Sequence, residues 1–99
     1  VGPLAARSAR DVLIRRLFVS AAALDRDVGS SEVSLEEAEV KLALAESAAE
    51  IILAVDSSKL DRRAAARGFG FDRIDILVTE LDPGDSRLDA YRDAIASIV

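Results

Sequence analysis

The stretch Ile51-Ile52-Leu53-Ala54-Val55-Asp56-Ser57-Ser58-Lys59 decides the fold. Its first five residues are apolar without alternation, which is typical of a strand covered on both faces, as in a parallel sheet. A second run of this kind, from Ile74 to Val78, also ends in polar residues, Thr79 and Glu80. Because ligands of such sheets bind beyond the carboxyl ends of the strands, both polar segments are candidate ligand contacts.

Helical patterns lie between and around these two strands. Ser34 and Glu37 have the spacing of a capping box, so a helix is predicted from Leu35 to about Ala49. Strands that alternate with helices predict an α/β fold in three layers, in which a parallel sheet carries helices on both faces. The weaker patterns predict a helix over 4–14, a buried strand over 17–24, a polar loop over 25–31, a helical turn over 64–67, a turn at 82–84, a helix over 86–94 and a last strand over 96–99.

The composition is that of one soluble globular domain. The chain has 99 residues, of which 51% are hydrophobic and 31% charged. No apolar run approaches the roughly 18 residues of a membrane span, and no secretory leader is recognisable, so a cytoplasmic protein without a membrane partner is expected. The sequence has no methionine and begins with Val1, which indicates a cut rather than a natural start.

The residue types that are missing limit the chemistry. The sequence contains neither cysteine nor histidine, which removes disulfides, thiolate nucleophiles, the usual zinc sites and the side chain best suited to proton transfer near neutral pH. The formal charge of -5 argues against a nucleic-acid surface, because such a surface needs clustered Lys and Arg. We therefore expect no metal, no cofactor and no catalytic residue, and any DNA contact must come from another part of the protein.

The segment that follows strand 51–55 has the groups that an anion needs. The hydroxyls of Ser57 and Ser58, several free amides and the Lys59 ammonium converge where the chain leaves the sheet. The alternative is a solvated turn, capped by Asp56 or Ser57, without a ligand.

Charged residues crowd the first turns of the helix that starts at Leu35. Glu36 and Glu37 are favoured there by the helix dipole, and Glu37 has the spacing to pair with Lys41. Glu39 projects from a different side of the helix than Glu37, and the spacing leaves open whether it faces a cleft.

Three stretches together resemble the C-terminal domain of DeoR-family repressors: Val1-Gly-Pro-Leu-Ala5, Leu35-Glu-Glu-Ala-Glu-Val-Lys41 and Asp56-Ser-Ser-Lys59. The third is the most specific, and the order of the stretches covers nearly the whole chain. The resemblance implies a sensor domain with a ribose-5-phosphate-isomerase-like fold, which binds a phosphorylated sugar and performs no chemistry. Such domains normally follow a winged helix-turn-helix and open with a glycine-rich loop. Because this sequence contains neither, residues 1–99 are expected to form one N-terminally truncated effector domain.

The resemblance also implies which residues form the effector site. Carried over to this sequence, they are Glu39 and Lys41 from the helix and Ser57, Ser58 and Lys59 from the strand end. The departures from the family pattern are Arg15, where members commonly have Asp, and Ala22 with Ala23, where they commonly have glycine.

Two other functions remain open at this point. A sugar-phosphate isomerase needs no histidine, because Glu39 can move a proton beside a carbonyl while Lys59 stabilises the enediolate. A pure oligomerisation domain would explain the wide apolar stripe of the helix that starts at Leu35. Self-association is expected whichever function applies, the sensor included, because loss of the preceding part of the family's domain would leave a sheet edge unpaired.

Overall fold

A computed structural model describes residues 3–99. Val1 and Gly2, which open the first stretch of the family resemblance, lie outside the described residues. The helices are α1 (Pro3–Ala9) and α2 (Leu35–Glu46), and the strands are β1 (Ile14–Val19), β2 (Ala23–Asp25), β3 (Gly29–Glu32), β4 (Ala48–Ala54), β5 (Ala66–Arg67), β6 (Ile76–Val78) and β7 (Ser97–Ile98). Three 3₁₀ turns lie at Ser57–Lys59, Phe71–Arg73 and Ser86–Tyr91.

The main sheet is parallel and confirms the predicted α/β class. Its four strands are ordered β1-β4-β6-β7, and every neighbouring pair is parallel. Ile51, Ile52 and Leu53 are buried along β4, as the continuous apolar run predicts for a strand covered on both faces. Leu53 is in register with Val19 of β1 and with Leu77 of β6, so these three strands end at the same edge of the sheet.

A second, smaller sheet was not predicted. It consists of β2, β3 and β5, which pair antiparallel in that order, where the sequence predicts a polar loop over 25–31 and a helical turn over 64–67. The predicted loop is confined to the turn at 26–28, and residues 66–67 form a strand instead of a helical turn. The strands were missed because β3 is buried through polar contacts. The Ser30 and Ser31 hydroxyls accept the amides of Phe69 and Ala64 at 2.7 and 2.8 Å, so the strand has no apolar pattern for the sequence to display.

The start of β3 needs a glycine. Gly29 has a φ of +93°, and a Cβ atom there would lie 2.2 Å from the Phe69 carbonyl oxygen. That carbonyl accepts the Ser30 amide at 2.8 Å, so the two segments cannot separate without losing a hydrogen bond.

The first helix and the first strand differ from their predicted bounds. The helix predicted over 4–14 ends at Ala9, because Ile14 already pairs with Ala48 in the main sheet. The apolar run over 17–24 is not one strand either: β1 ends at Val19, the chain turns at residues 20–22, and β2 continues in the second sheet. The sequence hides this turn because the run is apolar apart from Ser20 and contains neither glycine nor proline.

The C-terminal segment packs as a 3₁₀ turn rather than the predicted helix over 86–94. Asp85 caps it by accepting the Arg87 amide at 2.8 Å, and Leu88 and Tyr91 are fully buried. The Tyr91 hydroxyl donates to Asp61 Oδ1 at 2.6 Å and accepts the Asp61 amide at 3.0 Å. The last strand, predicted over 96–99, is confirmed as β7, and α2 ends three residues before its predicted end because Ala48 begins β4.

Candidate functional site

Polar groups collect where β1, β4 and β6 end. Ser20 follows β1, Asp56 follows β4 shortly after its end, and Thr79 follows β6. Adjacent strands lie about 4.8 Å apart, and the shared register of β1, β4 and β6 therefore brings these three segments to one edge of the sheet. This is the edge at which ligands of open parallel sheets bind.

A cavity opens at this edge beside α2, and we call it the α2 cleft. Its volume is about 380 Å³, within the range of small-molecule sites. The cleft is lined by Ser20, Ala21, Ala22, Glu32, Glu37, Val40 and Lys41. It thus joins the end of β1, the end of β3 and the first half of α2.

Lys41 has partners other than the predicted one. Its ammonium donates to the Ser20 carbonyl oxygen at 2.7 Å and to Glu32 Oε1 at 3.0 Å, whereas the helical spacing predicted a pair with Glu37. The predicted pair is not formed because Glu32 presents its carboxylate from the neighbouring sheet. The Lys41 side chain is 25% exposed, so the ammonium is held at the cleft rather than in bulk solvent.

Glu32 is the site residue that sequence reasoning missed. Its side chain is only 3% exposed, and Oε2 is buried without a hydrogen-bond partner among the described residues. A single glutamate after two serines gives no periodic signal. Only the prediction of β3 as a buried strand would have placed this carboxylate beside Lys41.

Glu39 does not share the α2 cleft with Lys41. It lines a different cavity of about 470 Å³, together with Arg10, Leu35, Ala38, Leu42, Glu46 and Arg67. Residues two apart on a helix project about 200° from one another. Glu39 and Lys41, which the resemblance placed in one site, therefore face different surroundings.

Ser57, Ser58 and Lys59 form the 3₁₀ turn that follows β4, as the capped-turn alternative predicts. Asp56 caps the turn by accepting the Ser58 amide at 2.9 Å and the Ser58 hydroxyl. The Ser57 amide and hydroxyl donate to the two oxygens of Glu80, at 2.8 and 2.6 Å. The amides and hydroxyls of Ser57 and Ser58, which were predicted to bind an anion, therefore donate to the protein's own carboxylates.

The hydrogen bonds of the turn hold two carboxylates in their charged form. The Ser57 and Thr79 hydroxyls, together with the Ser57 amide, lower the pKa of Glu80 to about 2. The Ser58 hydroxyl and amide lower the pKa of Asp56 in the same way. Both carboxylates stay negative throughout the physiological pH range.

Lys59 is the cation of this turn that keeps its donors available. Within residues 3–99, its ammonium makes no side-chain hydrogen bond and no ion pair. A shallow cavity of about 390 Å³ at the strand ends is lined by Ala54, Val55, Asp56, Val78, Thr79 and Glu80. Lys59 is adjacent to this cavity in sequence but is not one of its lining residues.

Other kinds of site are not found in the described part of the chain. Residues 3–99 contain no cluster of three or more acidic, histidine or cysteine side chains with the arrangement of a metal site. None of their helices has the length and apolar character that a bilayer crossing requires.

A parallel α/β sheet with a cleft and charged groups at its carboxyl edge is the arrangement in which open α/β domains typically bind ligands. The family model described as the DeoR C terminal sensor domain matches residues 1–81, and the chain belongs to this family. It is 33% identical over 80 residues to the HTH-type transcriptional regulator GlpR of Haloferax volcanii. That match covers 81% of this chain but 31% of the relative, so the chain spans about a third of the relative's length.

Proposed function

We propose that this chain is the effector-sensing part of a bacterial-type transcription regulator and that its effector is a phosphorylated sugar. Binding of the effector would shift a population between two states of the protein with different affinity for an operator. DNA contact is assigned to a helix-turn-helix, which residues 3–99 do not form. The family match, the regulator named among the relatives and the net charge of -5 support this division of labour.

The α2 cleft carries the proposal. Its volume of about 380 Å³ suits a monosaccharide, and its lining includes the ion pair of Glu32 and Lys41. Lys41 has three donors and uses two of them on Ser20 and Glu32. One donor is left for a ligand oxygen.

The phosphate is assigned to the turn at Ser57–Lys59, on the same edge of the sheet. Lys59 supplies an ammonium without a partner among the described residues, and it acts there as a point charge for the phosphate. The hydroxyl oxygens of Ser57 and Ser58 still have lone pairs, but their protons are directed to Glu80 and Asp56. The phosphate would therefore rely on Lys59 more than on the serines.

Glu39 is left out of the proposed site, and this also weakens the isomerase alternative. A proton-transfer mechanism needs Glu39 and Lys59 around one substrate. Glu39 instead lines the cavity with Arg10 and Arg67. The family is that of a sensor domain, so we propose binding without turnover. We also propose that two copies associate through the edge of the main sheet.

Substitution of Lys59 tests the phosphate assignment. In a thermal-shift screen of pentose and hexose phosphates, the wild-type protein should gain stability with the logarithm of the ligand concentration. Lys59→Ala should weaken binding by roughly one to two orders of magnitude, because a charge-assisted hydrogen bond is lost. The fold should be nearly unaffected, since surface changes of this kind cost within about 0.5 kcal/mol.

Arg62→Ala is the matched control, because it removes a nearby exposed positive charge outside the proposed site. Equal phosphosugar binding by wild-type protein and Lys59→Ala would refute the phosphate assignment. Failure of every phosphosugar to stabilise the full-length protein would refute the proposed effector class. Turnover of any of these sugars would instead support the isomerase alternative.

A further inference from the structure

We infer that Glu32 is the specificity-determining residue of the α2 cleft and that it selects a neutral hydroxyl group of the ligand rather than the phosphate. This inference rests on the proposed function and deepens it. The geometry behind it is the pair formed by Glu32 and Lys41 at the wall of the cleft, with Glu32 Oε1 at 3.0 Å from the Lys41 ammonium.

Glu32 stands out from the other polar residues of β3. Ser30 and Ser31 are equally buried, but their hydroxyls accept the amides of Phe69 and Ala64. Glu32 Oε2 accepts no hydrogen bond from the described residues, although the side chain is only 3% exposed. Buried acceptors are nearly always satisfied. Because Glu32 is one of the residues that line the α2 cleft, the missing donor of Oε2 is assigned to a ligand in that cleft.

The charges around this oxygen decide which donor fits. A ligand ammonium at Glu32 Oε2 would lie close to the Lys41 ammonium and be repelled by it. A phosphate in the cleft would meet Glu32 and Glu37 and a Lys41 ammonium that already bonds to Glu32 and Ser20, whereas the Lys59 ammonium has no partner among the described residues. A neutral hydroxyl meets neither obstacle.

A hydroxyl also matches the hydrogen-bonding capacity that remains. It can donate its proton to Glu32 Oε2 and accept the third N–H of Lys41 through a lone pair. Two neighbouring hydroxyls can divide these two bonds between them. The chemical class selected is therefore a polyol, and the phosphate of a phosphorylated sugar is directed out of the cleft, toward Lys59.

The first test compares protein variants with deoxygenated ligands. Glucose 6-phosphate, ribose 5-phosphate and their monodeoxy forms are titrated into wild-type protein and Glu32→Gln, which keeps the size of the side chain but replaces Oε2 by a donor group. Loss of one particular hydroxyl should weaken binding to wild-type protein by roughly tenfold or more, and it should weaken binding to Glu32→Gln clearly less, because only the hydrogen bond from Lys41 is left to lose there. Glu46→Gln is the matched control, because its exposed carboxylate on α2 pairs with Arg10 outside the cleft.

The second test does not depend on a phosphorylated effector. Backbone amide chemical shifts are followed in wild-type protein during titration with free glucose, with sorbitol and with inorganic phosphate. The polyols should move the amides of residues 20–22, Glu32 and Lys41, whereas phosphate should move those of Ser57–Lys59. The spectrum of Glu32→Gln reports whether the fold is kept when Lys41 loses its carboxylate partner. The double variant Glu32→Gln/Lys41→Gln removes both charges of the pair and serves as the comparison.

The outcomes separate the two proposals. If no phosphosugar binds but the polyols perturb the cleft amides in a way that Glu32→Gln abolishes, the effector class is wrong and the role of Glu32 stands. If the polyols leave these amides unmoved, or inorganic phosphate moves them first, the inference about Glu32 is overturned whatever the phosphosugars do.

Discussion

The Glu80 carboxylate accepts hydrogen bonds from the Ser57 amide, the Ser57 hydroxyl and the Thr79 hydroxyl. At the scale of single residues, this contact explains how much of the site was predictable. The apolar-to-polar change at Asp56 and the paired segment at Thr79 and Glu80 correctly indicated where polar groups meet. The sequence could not indicate that the carboxylates of one segment would bind the hydroxyls of the other, because that depends on the strand register.

Ser57→Ala should raise the pKa of Glu80 from about 2 toward its ordinary value of 4.5, because the largest stabilising bond to the charged form is lost. A folded-state pKa below the unfolded one stabilises the protein above pH 4.5, and this contribution is lost as the pH falls from 4.5 through about 2. The variant should therefore lose less stability than wild-type protein over that interval. Carboxyl-carbon NMR titration and urea unfolding at several pH values measure both effects.

Ser58→Ala is the matched control for this experiment. Its hydroxyl is bound to Asp56 and not to Glu80, so the pKa of Asp56 should rise while that of Glu80 stays near 2. A Glu80 pKa that is the same in wild-type protein and Ser57→Ala would show that the Ser57 hydroxyl does not hold this carboxylate.

At the scale of elements, the main sheet and α2 were predictable, and the small sheet was not. Strand β4 and helix α2 owe their structure to local signals: a continuous apolar run and a serine cap, whose hydroxyl accepts the Glu37 amide at 3.2 Å. Strand β3 owes its structure to contacts 33 and 39 residues away in the chain. No local pattern records such contacts, and the buried Glu32 was missed for the same reason.

Gly29→Ala should destabilise the small sheet and with it the whole domain. The backbone conformation alone costs on the order of 1–3 kcal/mol for a residue with a Cβ atom, and that atom would also collide with the Phe69 carbonyl oxygen. For a domain of this size, the melting temperature should fall by roughly 10 °C. Circular dichroism or differential scanning calorimetry provides the measurement.

Gly84→Ala is the matched control. A Cβ atom there would lie 3.3 Å from the Asp82 side-chain oxygen, which can move, so the melting temperature should hardly change. Equal melting temperatures for the two alanine variants would show that the contact between Gly29 and Phe69 does not determine stability.

At the scale of the whole molecule, the two edges of the main sheet differ. Strand β7 is two residues long, whereas β1 at the other edge has six and presents Phe18, which is 69% exposed. A long edge strand leaves unpaired N–H and C=O groups that can pair with another chain. Arg16 on β1 forms an ion pair with Glu50, with Nε 3.2 Å from Oε1. This arginine therefore contributes little repulsion between two copies of β1.

Association of two copies through β1 is therefore the prediction that belongs to the whole molecule. Closed pairs of identical chains are the commonest oligomers, and a twofold pair would place β1 of one copy beside β1 of the other and cover Phe18 in both.

Phe18→Lys should disfavour the pair, because charged side chains block edge pairing. Val33→Lys is the control, since Val33 is equally exposed, at 70%, but lies outside β1. Sedimentation equilibrium at micromolar concentrations should give twice the chain mass of 10.5 kDa for wild-type protein and Val33→Lys, and the chain mass for Phe18→Lys. A single 10.5 kDa species in the wild-type sample would refute self-association, and a Phe18→Lys protein that remains paired would place the interface elsewhere than β1.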